Sequence, residues 1–352
     1  MEVTFFPRKD YDVEVCAHRL GKKMTYTEQT DGLHTELSYN PFMALAKARN
    51  IRVGCFMTVN DAVTDQVRAD LAENKIWLDA YSMTSSLRDK IVHGLPITRE
   101  EWDVAYYGSI LPTFRAVTGK KPVALSYSYG NQTFREYTTQ LLGARNSSYT
   151  WQTDYGVGYG TPSDQSYSFS RFCSKAGTTR WYDYAKSHDN DFEGSLGLIS
   201  DKIDETLQNG GWMNNFTHWH NYYSDGNQQW AEAYLDLLAE KNSNNQIYFA
   251  GYGEAVAYLV YRSMITKAVM YSPNSKRDKQ LIIRLETDNS ALNVDTDLLQ
   301  VPISVKFSLQ GTPLAGSFIH SSRNLISLGN DTYIVEIPYT GKFPYAVIHK
   351  TV

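Results

Sequence analysis

Cysteine is scarce: three in 352 residues, Cys16, Cys55 and Cys173. They are far apart and odd in number, with no CxxC pair and no metal-finger spacing. That excludes a disulfide framework and leaves buried free thiols as their expected state. No apolar run approaches the roughly 18 to 20 residues of a membrane-spanning helix. An excess of positive charge is also missing. Lys and Arg number 34 against 38 Asp and Glu, a formal net charge of -4, and a nucleic-acid binder needs a basic footprint to neutralise phosphates. Residues 1 to 7 carry no basic stretch followed by an apolar one; the expected location is secreted or cell-envelope, with the signal peptide absent from this sequence. Aromatic residues, by contrast, are plentiful. There are 26 tyrosines and 7 tryptophans, alongside many Asn, Ser, Thr and Gln, a composition suited to sugar rings, whose C–H faces stack and whose hydroxyls hydrogen-bond.

A chain of this length has room for about two domains. From about residue 10 to 265, apolar runs alternate with helical periods. Strands are predicted at Asp12 to Ala17, Arg52 to Val59, Ile76 to Ala80, Pro122 to Tyr127, Ser148 to Gln152, Trp212 to Phe216 and Gln246 to Ala250. Helices are predicted at Asn40 to Arg49, Ala62 to Ala72, Thr98 to Val117, Thr133 to Leu142, Leu196 to Leu207, Gln228 to Lys241 and Tyr252 to Arg262. Asn40-Pro41 supplies a cap and a first-turn proline, Thr98 and Glu101 have capping-box spacing, and Gly119 stops that helix. Such alternation specifies parallel βα units, and seven of them approach a distorted (β/α) barrel. Residues 266 to 352 instead read as short alternating strands separated by turn signals, an all-β sandwich. The expected division is therefore 1–265 and 266–352.

The segment Gly210 to Asn221 concentrates function-bearing residue types. It holds two of the eight histidines (His218 and His220), two of the seven tryptophans (Trp212 and Trp219) and three asparagines. Polar and aromatic groups bunched where a strand gives way to a helix mark the rim of an α/β active site.

In order and spacing the first 265 residues resemble a NodB-type polysaccharide deacetylase domain. In that family Thr-Phe-Asp-Asp-Gly ends the first barrel strand, its first Asp the catalytic base and its second a metal ligand. Here Thr27 to Gly32 occupies that place, with Asp31 at the ligand and Thr30 at the base. The family's two metal histidines fall on Ala80 and Thr84. Ser126 to Gly130 is similar to the Arg-x-Pro-Tyr-Gly motif, retaining Tyr129-Gly130, and Tyr149 to Asp154 is similar to the motif whose Trp and Asp line the groove. Phe216-Thr217-His218 matches the closing Leu-x-His, whose histidine is the general acid.

The resemblance implies a hydrolase acting on carbohydrate amide or ester groups, with Asp31, His218 and His220 as catalytic candidates. Tyr129, Trp151, Asp154 and Trp219 would contact a polysaccharide or oligosaccharide substrate. With both family histidines replaced, a divalent metal such as zinc would have to rely on Asp31, His34 and one of His218 or His220. A metal-free acid–base pair is an alternative. Two other classes remain open. One is a carbohydrate-binding protein that keeps the groove without turnover. The other is a structural or adhesion component, whose exposed aromatics should lie on the sandwich.

Overall fold

The computed structural model describes residues 10–81, 84–126, 176–179, 181–187, 190–273, 280–288, 290 and 296–351. It divides the chain into two compact units, residues 23–256 and residues 1–22 with 257–352. The division therefore differs from one at 265 and 266. The reason lies in the first two strands, β1 (Asp10–Tyr11) and β2 (Val13–Val15), which pair with strands from the C-terminal end of the chain. Asp12 to Ala17, expected as the first barrel strand, supplies β2 instead.

The larger unit is built on β3 (Met24–Asp31), β4 (Val53–Met57), β5 (Ile76–Tyr81), β6 (Leu125–Ser126), β7 (Ala176–Thr179), β8 (Gly211–Phe216) and β9 (Ile247–Ala250). Its ladder runs β6-β5-β4-β3-β8-β7, every pair parallel. β8 takes one edge of β3 along Met24–Gln29. The other edge is shared: β9 pairs with Met24–Thr27 and β4 with Gln29–Asp31. No ladder joins β6 to β7 among the described residues, so the seven-stranded barrel is distorted, as its sequence pattern predicts.

Helices follow the strands: α1 (Asn40–Ala48), α2 (Asp65–Ala72), α3 (Ser85–Val92), α4 (Arg99–Ala105), α5 (Leu111–Thr118), α6 (Trp181–Ser187), α7 (Phe192–Asn209), α8 (Trp219–Ser224), α9 (Gln228–Lys241) and α10 (Tyr252–Met264). Their ends obey local chemistry. The hydroxyls of Thr64, Thr84 and Thr98 each accept an N–H of the first turn, and Glu101 completes the capping box at Thr98. Such a cap contributes about 1 kcal/mol. The single helix predicted from Thr98 is realised as α4 and α5 joined by a π turn at Tyr106–Ile110. Gly119, left-handed at φ 71°, closes α5.

Period-two alternation gives the strands two buried faces. One packs under the helices: Met24, Tyr26, Val53, Cys55, Ile76, Leu78, Ala80 and Met213 share a core with Phe42, Val67, Trp102, Trp219, Tyr234 and Leu235. The other face lines the barrel. Parallel register sets Gln29, Gly54 and Trp77 in one row and Asp31, Phe56 and Asp79 in the next. The start of α10 is folded against these rows. A Cβ on Gly251 would lie 2.2 Å from Trp77 Cβ, and one on Gly253 would lie 2.2 Å from Asp79 Oδ1. The Tyr252 ring fills the space between, 6.0 Å from Phe56 and 5.2 Å from Trp212. Around these rows the barrel interior is packed by the start of α10.

The smaller unit adds β10 (Ile265–Tyr271), β11 (Gln280–Thr287), β12 (Ile303–Ser308), β13 (Ile319–Ser321), β14 (Leu325–Gly329), β15 (Thr332–Ile337) and β16 (Tyr345–Lys350). These form two antiparallel sheets, β1-β10-β11-β16-β13 and β14-β15-β12-β2. On β11 Leu281, Ile283, Leu285 and Thr287 are buried and their alternates half-buried. That is the pattern of a sheet packed on one face, as a sandwich requires.

Candidate active site at the barrel rim

β3 delivers Asp31 to the C-terminal rim, and the chain then turns sharply. Gly32 sits at φ 71° and His34 at φ 40°, a left-handed region in which glycine is at ease and histidine is uncommon. Gly32 also leaves room: a Cβ there would stand 3.0 Å from His34 Nε2 and 3.6 Å from Asp61 Oδ1. Asp61, in the turn after β4, therefore meets the His34 turn. Its Oδ2 accepts the Thr58 N–H at 2.7 Å. Burial raises its carboxyl pKa, while the Thr58 and Leu33 amides and the nearby His34 act in the opposite direction.

The third approach comes from β8. Thr217 N–H donates to the Gln29 carbonyl at 3.0 Å, and Trp219 N–H donates to Thr30 Oγ1 at 3.3 Å. These bonds fix the loop bearing His218 and His220 to the end of β3. The imidazoles of His34 and His220 meet edge to face with centroids 4.7 Å apart. His218 lies 5.3 Å from His220 and 5.2 Å from Phe216. His34 is exposed and the other two are half-buried. His220 Nδ1 is buried without a hydrogen-bond partner among the described residues. Its pKa is lowered, first by burial and then by the charge of His34.

His34, His218 and His220, all singled out in the sequence, thus converge at one rim, with Asp31 at the end of the adjoining strand. The expected metal set does not. Among the described residues no three His, Cys, Asp or Glu side chains are gathered to hold an ion. Ala80 cannot be restored by a histidine in place, because its side chain belongs to the layer beneath the helices while Asp79 shares the face of Asp31. Thr84 is the N-cap of α3. The family's Asp–His–His arrangement therefore does not fit these residues.

Trp219 also departs from expectation. It is fully buried, stacked on Phe42 at 4.4 Å with its indole N–H donated to Glu28 at 3.2 Å. A core position of this kind offers no face to a sugar. Tyr129, Trp151 and Asp154 lie outside the described residues.

Two groups escaped the sequence reading. Asp61 follows an ordinary loop signal and reveals itself only by meeting His34. Glu28 is buried under the rim, accepting Tyr234 Oη–H at 2.6 Å, Asn215 Nδ2–H at 2.6 Å and the Trp219 indole. Burial pushes its carboxyl up to about 7 against those three bonds. Thr30, aligned with the catalytic base, has a structural task instead. Thr30→Ala should remove the acceptor for Trp219 N–H and destabilise the protein by about 1 kcal/mol in urea unfolding, with Thr30→Ser retaining most of it. Equal losses in both variants would assign the effect to packing.

No known family's sequence model matches the chain, and neither does any curated protein sequence. Solved structures to which the chain is similar include the peptidoglycan deacetylase PdaC from Bacillus subtilis. It is 10% identical at a TM-score of 0.40, over 69% of this chain and 93% of that one. The polysaccharide deacetylase Bc1974 from Bacillus cereus is 12% identical at a TM-score of 0.36, over 66% and 92%. Puue allantoinase is 13% identical at a TM-score of 0.44, over 68% and 92%. No helix among the described residues is long and apolar enough to cross a membrane.

Proposed function

We propose that the chain is a divergent NodB-like hydrolase acting on amide or ester groups of an extracellular or cell-envelope polysaccharide. The observation that carries this reading is the gathering of His34, His218, His220 and Asp61 at the strand end that bears Asp31. Hydrolysis of an acyl group needs a base to activate water and an acid for the leaving group. Asp31 takes the first role and His218 the second, with His220 beside it and Asp61 against the His34 turn. No step is assigned to a metal, since the residues that would hold one in the resembling family are not in place.

A second reading, a groove that binds glycan without turnover, is favoured by Ala80, buried in the core where the resembling family has a metal histidine. Acetate release from N-acetylated and O-acetylated oligosaccharides, measured alongside glycan binding, separates the two. The hydrolase reading expects release that falls about 10²- to 10⁴-fold in His218→Ala and in Asp31→Ala. Binding without release from any acylated glycan would replace it with the second. If neither is seen, both fail and a structural or adhesion role takes their place.

A further inference from the structure

We propose that His320 and His349 form a surface site for a divalent transition-metal cation on the five-stranded sheet of the smaller unit. The two residues stand directly opposite each other in the antiparallel pair β13–β16. Directly opposed residues put their side chains on the same face, with Cβ atoms about 4.5–5.5 Å apart. The rings lie as that geometry requires, centroids 5.0 Å apart and planes at 16°. Neither ring is hydrogen-bonded to another described residue. His320 is exposed and His349 half-buried, so an ion can reach them from solvent.

Two imidazoles held side by side, with no hydrogen-bond partner among the described residues, are a pair of nitrogen donors open to an ion. Metal–nitrogen bonds of about 2.0–2.1 Å bring two such donors to within about 3 Å of each other. Modest rotation about the side-chain torsions achieves that from the observed stack. Gln280 lies opposite His349 on its other neighbour, β11. It shares the same face and offers an amide oxygen, with water completing the coordination. Imidazole nitrogen with few oxygens selects Cu2+, Ni2+ or Zn2+ over Mg2+ and Ca2+, which demand oxygen shells.

The position gives the ion something to do. β13 is three residues long and forms the edge of its sheet. A cation shared by His320 and His349 would clip that short edge strand to β16.

The test uses the full chain, stripped of metal by chelator dialysis and titrated calorimetrically with CuSO4, NiCl2, CoCl2 and ZnCl2. The expected result is one saturable site with affinity falling from Cu2+ to Ni2+ to Co2+, weakened at least about tenfold by His320→Ala and by His349→Ala. Ni2+ should raise the Tm of the parent chain and leave those two variants unmoved. A His34→Ala/His220→Ala double variant separates this site from the barrel-rim histidines and should bind as the parent does. The proposal is overturned by absence of saturable binding below about 1 mM, by binding that survives both sandwich substitutions, or by binding lost only in the rim variant.

Discussion

Glu28→Ala is expected to destabilise the protein by about 3–5 kcal/mol, read as a lower urea midpoint. Three buried donors, from Tyr234, Asn215 and Trp219, lose their shared acceptor at once, and the vacated space lies among fully buried aromatic rings. The same residue shapes the pH dependence. Burial raises its carboxyl from 4.5 to about 7. The folded chain therefore keeps a proton that the unfolded chain releases as pH rises between those values. Stability should fall across that window and level off above it. Asp79, raised from 3.8 to about 7 by burial, acts in the same direction. In Glu28→Gln the Glu28 part of the slope should vanish while the Asp79 part persists. A stability profile identical to the parent's between pH 4 and 8 would mean that Glu28 does not titrate there.

Gly251→Ala should be comparably damaging, at about 3–5 kcal/mol. Neither Gly251 nor Gly253 has a positive φ, so the expected penalty is steric rather than conformational. The added methyl would stand 2.2 Å from Trp77 Cβ, an atom fixed next to its own backbone that cannot swing aside. Gly253→Ala meets the Asp79 carboxylate instead, which accepts the Gly253 N–H at 2.8 Å and the Ala124 N–H at 3.0 Å. That carboxylate can shift, but only by loosening bonds that hold the start of α10 in the barrel. Gly251→Ala should therefore lower the urea midpoint more than Gly253→Ala. The reverse order would contradict the packing of this segment.

Several helices were legible because their signals are local, whereas Ser85–Val92, Trp181–Ser187 and Trp219–Ser224 were not read and Thr133 to Leu142 lies outside the described residues. Gln228–Lys241 is found as read, and Thr98 with Glu101 forms the capping box its spacing announces. β3 was hidden from periodicity. It reads Met-Thr-Tyr-Thr-Glu-Gln-Thr-Asp, all buried, with Thr27, Glu28 and Gln29 matched by partners such as Asn214 and Asn215 from far along the chain. Only the spacing of Asp31-Gly32 to the next strand marked it. β2 looked like a barrel strand because nothing local reveals that Val13–Val15 pairs with Val305–Phe307. At the site, the histidines could be found by composition and by their place at a strand end. Trp219 could not be judged the same way: its type suits a sugar face, and the buried Glu28 carboxylate beneath it decides otherwise.

The sharing of β3 among three neighbours governs how the protein is assembled. Its partners begin at Val53, Gly211 and Ile247, so two of its three ladders close loops of great length, and contacts so remote in sequence form slowly. During synthesis the strand carrying Asp31 has only β4 to hold until β8 and β9 have left the ribosome. Until then Thr25, Thr27 and Glu28 lack the β8 residues they pair with. The rim, which draws on His218 and His220 after β8, therefore matures late, and a nascent or truncated chain ending before Ile247 lacks the strand that pairs with Met24–Thr27 and the helix α10 that follows it.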